Sequence, residues 1–156
     1  RRLSAEQFRD AVGALTGVWY DQPATQFRRA DGSTNHFTRT RAALVGADTL
    51  QVALGRPNRE QVLTSRASAA TTLQALELTN GAELAEVFSR GAEKMLTVPA
   101  PANDVVAQLY ARALGRKPTR AEAQLAASLV GQPVQKTGVE DLLWGLTMMP
   151  EFQLIY

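Results

Sequence analysis

The sequence predicts an all-α fold, a single-domain orthogonal multi-helix bundle over residues 1–156 with a long irregular loop after its first helix. Three observations predict it. Side chains that cap helices recur three residues ahead of Glu or Gln, at Ser4–Gln7, Asn80–Glu83, Thr119–Glu122 and Thr137–Glu140, and each such pair satisfies orphan amide donors in a first turn. After each pair, apolar residues return at helical spacing. No apolar–polar alternation bounded by turns is sustained along the chain, so strand signals are weak.

Phe8, Val12 and Leu15 form the first stripe. The stretch 17–40, "GVWYDQPATQFRRADGSTNHFTRT", has no period and contains Pro, Asp-Gly and Asn. It reads as a long loop, with a short hairpin around "ADGST" as one option. Loops of this length in a compact domain are uncommon and often functional. Short helices are expected over 47–54 and 70–79. Leu84, Val87, Phe88 and Met95 form the next stripe. After the "VPAPAND" break come Val106, Leu109, Tyr110, Ala113 and Leu114, with Asn103 or Asp104 as the expected cap. Leu125 and Leu129, among alanines, mark another helix, and Val139, Leu142, Leu143 and Leu146 the last. The expected core is Phe8, Leu15, Leu84, Phe88, Leu109, Leu125, Leu142, Leu143 and Leu146. Trp144 falls off its helix's main stripe, which suits packing on the loop or on another domain. Crossing helices joined by short Gly/Pro-containing links favour an orthogonal bundle over a long up-down one.

A chain of 156 residues can bury roughly 68–70% of its unfolded surface. With 45% hydrophobic residues it has the composition of a globular domain rather than a disordered one. No apolar run approaches the ~18 residues of a membrane span. The absence of cysteine excludes disulfides, thiolate metal sites, cysteine nucleophiles and covalent haem attachment within this chain. No metal or other cofactor is expected. The net charge is only +2 but is unevenly spread: residues 1–66 hold ten arginines against six carboxylates, and residues 67–156 seven Lys/Arg against nine. An anion-binding face is therefore expected in the first half.

Phosphate-loop, dinucleotide, zinc-protease, EF-hand and nucleophile-elbow motifs are missing. The only histidine, His36, stands in the irregular loop beside Asn35 and near Asp31 and Ser33. Glu140–Asp141 and Glu83/Glu86 are carboxylate pairs, but each is expected at a helix start, where acid complements the dipole. The arginines are the best lead. Arg28, Arg29, Arg39, Arg41, Arg56, Arg59 and Arg66 fall within 39 residues, interleaved with Trp19, Tyr20, Phe27 and Phe37. Guanidinium grips carboxylate, sulfate or phosphate in two-pronged fashion, and neighbouring aromatics suit sugar faces. Arg39, Arg41, Arg56, Arg59, Arg66 and His36 are thus the anion-binding candidates. The structural alternative, which the sequence favours, has Arg56, Arg59 and Arg66 tying the loop down through helix C-terminal carbonyls or through Asp48, Glu60 and Glu77. "ALGRPNREQ" at 53–61 echoes "ALGRKPTRAEAQ" at 113–124; helix-stop chemistry, Gly then Pro, explains the echo better than duplication does.

The segments "RRLSAEQFRDAVGALTG", "ALGRPNREQVLTSR" with "TTLQALELTNG", and "LYARALGRKPTRAE…VEDLLWGLTMMPEFQLIY", in that order, resemble domain of unknown function 1553, the planctomycete PSD-one domain. The resemblance covers nearly the whole chain. It implies the C-terminal segment of a large multidomain protein of planctomycetes, verrucomicrobia and relatives. Such proteins are typically exported, so a periplasmic or extracellular location is implied. They often carry a companion domain and a c-type cytochrome domain, whose haem-binding cysteines would lie outside this chain. No activity transfers residue by residue; a link to breakdown of sulfated polysaccharides is one of context.

Three functions remain as expectations. The first is a helical accessory module packing against companion domains of its parent. The second is part of an anionic-polysaccharide-binding or carbohydrate-active site using the arginine-rich region 28–66. The third, nucleic-acid binding, is disfavoured by the few lysines and the lack of a long basic run. No catalytic set is recognisable, so whether the chain is enzymatic stays open.

Overall fold

A computed structural model describes residues 1–21, 39–57 and 71–155. Helix α1 spans Ala5–Thr16, a 3-10 turn Ala42–Leu44, α2 Thr49–Ala53, α3 Thr72–Asn80, α4 Ala82–Leu96, α5 Ala102–Leu114, α6 Arg120–Val130, α7 Lys136–Met148 and α8 Pro150–Gln153. Among the described residues there is no β-strand. Two isolated antiparallel bridges join Arg2 to Leu154 and Tyr20 to Thr40, and the second brings the two ends of the 17–40 stretch together. The fold is all-α, as the periodicity predicts. Residues 22–38, including the "ADGST" hairpin option, lie outside the described residues. No helix among the described residues is long and apolar enough to cross a membrane.

Capping explains some boundaries as expected and others differently. Ser4 with Gln7 and Thr119 with Glu122 form complete capping boxes. A third box, Thr71 with Gln74, opens α3; it has the same spacing but is not one of the four expected pairs. Asn80 does not cap α4. It is the last residue of α3, and Gly81 closes α3 and opens α4. A side chain there would place Cβ 2.3 Å from the Glu77 carbonyl oxygen, so only glycine makes this turn. Thr137 lies inside α7, which begins after Gln135. Asn103 and Asp104 lie inside α5, which begins directly after Pro101, and proline at that boundary fits the requirement for a residue without a needed amide donor. Glu140 and Asp141 therefore sit in the second turn of α7, not at its start as expected.

Helix α7 packs against α4, α5, α6 and α8; α1 packs against α2, α4, α5 and the 3-10 turn; α3 bridges α2 and α4. Phe8, Leu15, Leu84, Phe88, Leu109, Leu142, Leu143 and Leu146 are all buried, and Phe8 meets Phe152 edge-to-face with ring centroids 5.9 Å apart.

Leu125 overturns its core assignment: it is 73% exposed. Helix α6 instead turns Ala126 and Val130 inward. The reason is close approach of two backbones. At Gly138 of α7 a Cβ would lie 2.3 Å from the Leu129 carbonyl oxygen and 2.7 Å from the Val130 Cα. Gly138 lets the backbone at the end of α6 come this close, and the side chains of Leu125 and Leu129 are left outside.

Candidate functional site

The densest polar cluster among the described residues joins α1, the 3-10 turn and α2, and it starts from a cap. Asp48 precedes α2 and its Oδ1 accepts the Gln51 amide at 2.7 Å. That leaves Oδ2 to accept from the Tyr20 hydroxyl. The Gln51 side-chain amide donates to the Tyr20 oxygen at 2.7 Å and to Asp48 Oδ2 at 3.3 Å, while its carbonyl oxygen accepts from Arg56 Nη1. From α1, Arg9, only 5% exposed, donates to the Val18 carbonyl at 3.1 Å and lies 4.5 Å over the Tyr20 ring. Such a cation is tolerated inside because it is both hydrogen-bonded and stacked. Burial, then the hydrogen bond to Asp48, push the Tyr20 phenol well above its ordinary range, with Arg9 opposing them. Tyr20 therefore stays protonated and acts as a donor to Asp48, not as a base.

Arg56 follows the α2 stop, where Gly55 takes a left-handed φ of 86°. Its guanidinium folds back. Nη1 donates to the Ala42 carbonyl at 2.8 Å as well as to Gln51, and Nη2 donates to Ala43 at 3.3 Å and Val45 at 2.8 Å. Nε lies 3.7 Å from Glu6, and the side chain is 9% exposed. All the terminal donors thus have internal acceptors. Among the described residues the acidic partner is Glu6, not Asp48, which is engaged with Tyr20 and Gln51; Glu77 lies elsewhere, beside Gly81, and Glu60 lies outside the described residues.

The remaining anion-binding candidates are dispersed or lie beyond description. Arg39 and Arg41 are exposed, with Arg39 5.6 Å over the Trp19 ring. His36, Arg59 and Arg66 lie outside the described residues. Beside Arg39, the buried Trp19 Nε1 and Thr40 Oγ1 have no hydrogen-bond partner among the described residues. Among the described residues no group of three or more His, Asp or Glu is placed to hold a metal ion.

The second "ALGR" segment behaves like the first. Gly115 ends α5 in a left-handed conformation, and Arg116 then grips Glu122 through both terminal nitrogens, at 2.9 and 2.8 Å, and Glu151 through Nε at 3.0 Å. In each segment a glycine stops the helix and the arginine after it ties neighbouring chain together. Arg116, and secondarily the Thr119 amide, push the Glu122 carboxyl down to about 2. A depressed carboxyl stabilises the fold above its ordinary value, 4.5, and that contribution is lost as pH falls toward about 2. In an acid titration of stability, Glu122→Gln is expected to flatten the change over this interval. An unchanged acid limb would show that the triad is open in solution.

A separate cleft of about 290 Å³ lies between α3, α4 and α7, lined by Leu78, Leu84, Phe88, Trp144, Glu140 and Asp141 among others. Trp144, off the main stripe as its position predicts, is 41% exposed and its indole N–H donates to the Leu78 carbonyl at 2.9 Å. The periodicity marks this cleft only through Trp144, because its other wall depends on the reversal at Gly81.

In comparison with known proteins, the family PSD1, described as a protein of unknown function (DUF1553), matches residues 1–130. No curated protein matches the chain. No solved structure matches it.

Proposed function

Because the chain belongs to the PSD1 family (DUF1553), a family of unknown function, we propose that it is a helical accessory module that packs against companion domains of a longer, exported polypeptide. The observation that carries this reading is the outward face of α6. Leu125 and Leu129 are 73% and 44% exposed and, four residues apart, share one face of the helix. Helix α3 repeats the arrangement: Gln74 and Leu78 are buried while Leu73 and Leu76 are exposed. Covering a leucine side chain is worth roughly 1.5–3 kcal/mol, and apolar faces of this kind mark interaction surfaces. The polar cluster around Arg56 supports the same reading, since its groups are bonded to one another and hold the 3-10 turn against α1 and α2.

The test is the double variant Leu125→Ser/Leu129→Ser. In this chain alone it is expected to change stability by no more than about 1 kcal/mol, as exposed positions do. In the longer polypeptide it is expected to free the module, read as faster release by limited proteolysis. Identical digestion of variant and parent would contradict the proposal.

A second reading, anion binding, rests on the exposed Arg39 and Arg41, the first of them over the Trp19 ring. Saturable NMR shifts of residues 39–41 and Trp19 on titration with sulfated oligosaccharides would support it, and their absence would remove it.

A further inference from the structure

Resting on the docking reading of this module, we infer that the cleft between α3, α4 and α7 receives an arginine or lysine side chain from an apolar segment of a partner polypeptide. Size and charge point to this occupant. At about 290 Å³ the cleft falls just below the range of small-molecule sites, ~300–1,000 Å³. It has room for one long side chain and part of a neighbour, not for a run of sugar rings. Its floor is apolar: Leu78, Leu84 and Phe88 are buried core residues that reach it from below. Such a floor suits the methylene stem of a basic side chain, which packs on apolar surface while its charged end seeks polar partners.

The rim supplies those partners. Glu140 and Asp141 stand one turn ahead of Trp144 on α7 and line the same cleft. Spacings of three and four residues put them on Trp144's side of the helix. The internal competitor is Lys136, 3.7 Å from Glu140, but its ammonium is drawn to Glu93 at 2.5 Å. Asp141 is exposed and has no ion pair among the described residues. Trp144 adds an indole ring whose only donor is already bonded to Leu78; what it offers a ligand is its π surface, which attracts cations. The two carboxylates repel sulfate, uronate and phosphate, so an acidic polysaccharide is excluded from this place. The charge of residues 67–156, two units negative, complements a basic partner.

The test is an NMR titration of the whole chain with N-acetyl-Leu-Arg-Leu-amide and with N-acetyl-Leu-Glu-Leu-amide. The readout is the Trp144 indole N–H, identified by its loss in Trp144→Phe. The arginine peptide is expected to shift this signal saturably and the glutamate peptide not at all. The double variant Glu140→Gln/Asp141→Asn is expected to weaken the arginine peptide about tenfold, the sum of two partly exposed ion pairs. Equal response to both peptides, affinity unchanged in the double variant, or no saturable shift by about 20 mM would each overturn the inference. Because the α6 variant is read in the longer polypeptide and touches none of the cleft residues, failure of the cleft inference is distinguishable from failure of the docking reading.

Discussion

Replacing Arg56 by methionine is expected to destabilise the protein by about 3–5 kcal/mol, the range for removing one partner from a buried charged network. The side chain is only 9% exposed and its terminal nitrogens serve the carbonyls of Ala42, Ala43 and Val45 and the Gln51 side chain. Methionine keeps most of the stem's packing but leaves these acceptors without their donors. Ala43 is exposed, so its carbonyl regains water. The acceptors on the buried Ala42, Val45 and Gln51 are less easily served, and each unsatisfied group costs about 1–3 kcal/mol. Against a total stability of about 5–15 kcal/mol the loss is large, and urea denaturation would show it as a lower midpoint. Arg56→Lys is expected to recover less than half, because a single ammonium cannot reproduce a planar fork that reaches acceptors on both terminal nitrogens. A loss below about 1 kcal/mol for Arg56→Met would mean that the guanidinium is held loosely and is available to a ligand.

Gly138→Ala is the second large effect. A methyl at Gly138 would meet the Leu129 carbonyl oxygen at 2.3 Å and the Val130 Cα at 2.7 Å. Both are backbone, so no side chain can step aside, and α6 and α7 must separate. Overpacking of this kind costs about 1–3 kcal/mol or more, while the gain in helix propensity recovers only about 1 kcal/mol. The net expectation is a loss of about 2 kcal/mol, visible as a fall in Tm. Gly145, seven residues further along the same helix, is the control. A Cβ there meets nothing within 4 Å, so Gly145→Ala is expected to stabilise by about 0.5–1 kcal/mol. Two alanines with the same effect on Tm would refute the close contact between α6 and α7.

These two sites show what could and could not be read in the sequence. The amphipathic stripes of α1, α4, α5 and α7 were legible because their large apolar residues stand on one face only. Helix α6 was ambiguous: Leu125 and Leu129 repeat at four residues, and so do Ala126 and Val130. Size favours the leucines for the core, yet the close backbone approach at Gly138 selects the smaller pair, and that contact joins residues that no local pattern connects. Capping pairs were reliable where nothing else competed, as at Ser4 and Thr119. They failed at Asn80, where Gly81 makes a turn that no side chain permits, and at Thr137, where α7 had already begun. Arg56 was visible as a residue of interest, but three of its acceptors lie in the unpatterned stretch 42–45. Tyr20, Asp48 and Gln51 likewise meet only once the chain has closed on itself, so their shared network had no signature beyond the cap at Asp48. The cleft beside Trp144 had one legible clue, an indole off its helix's stripe, while the reversal at Gly81 that completes it carries the pattern of a side-chain cap.

The most direct test of the docking account is hydroxyl-radical footprinting of Leu125 and Leu129, read by mass spectrometry, in this chain alone and in the longer polypeptide. The account predicts strong labelling of both leucines in the chain alone and several-fold protection in the longer polypeptide. Equal labelling in the two would contradict it, leaving the outward face of α6 as bare surface.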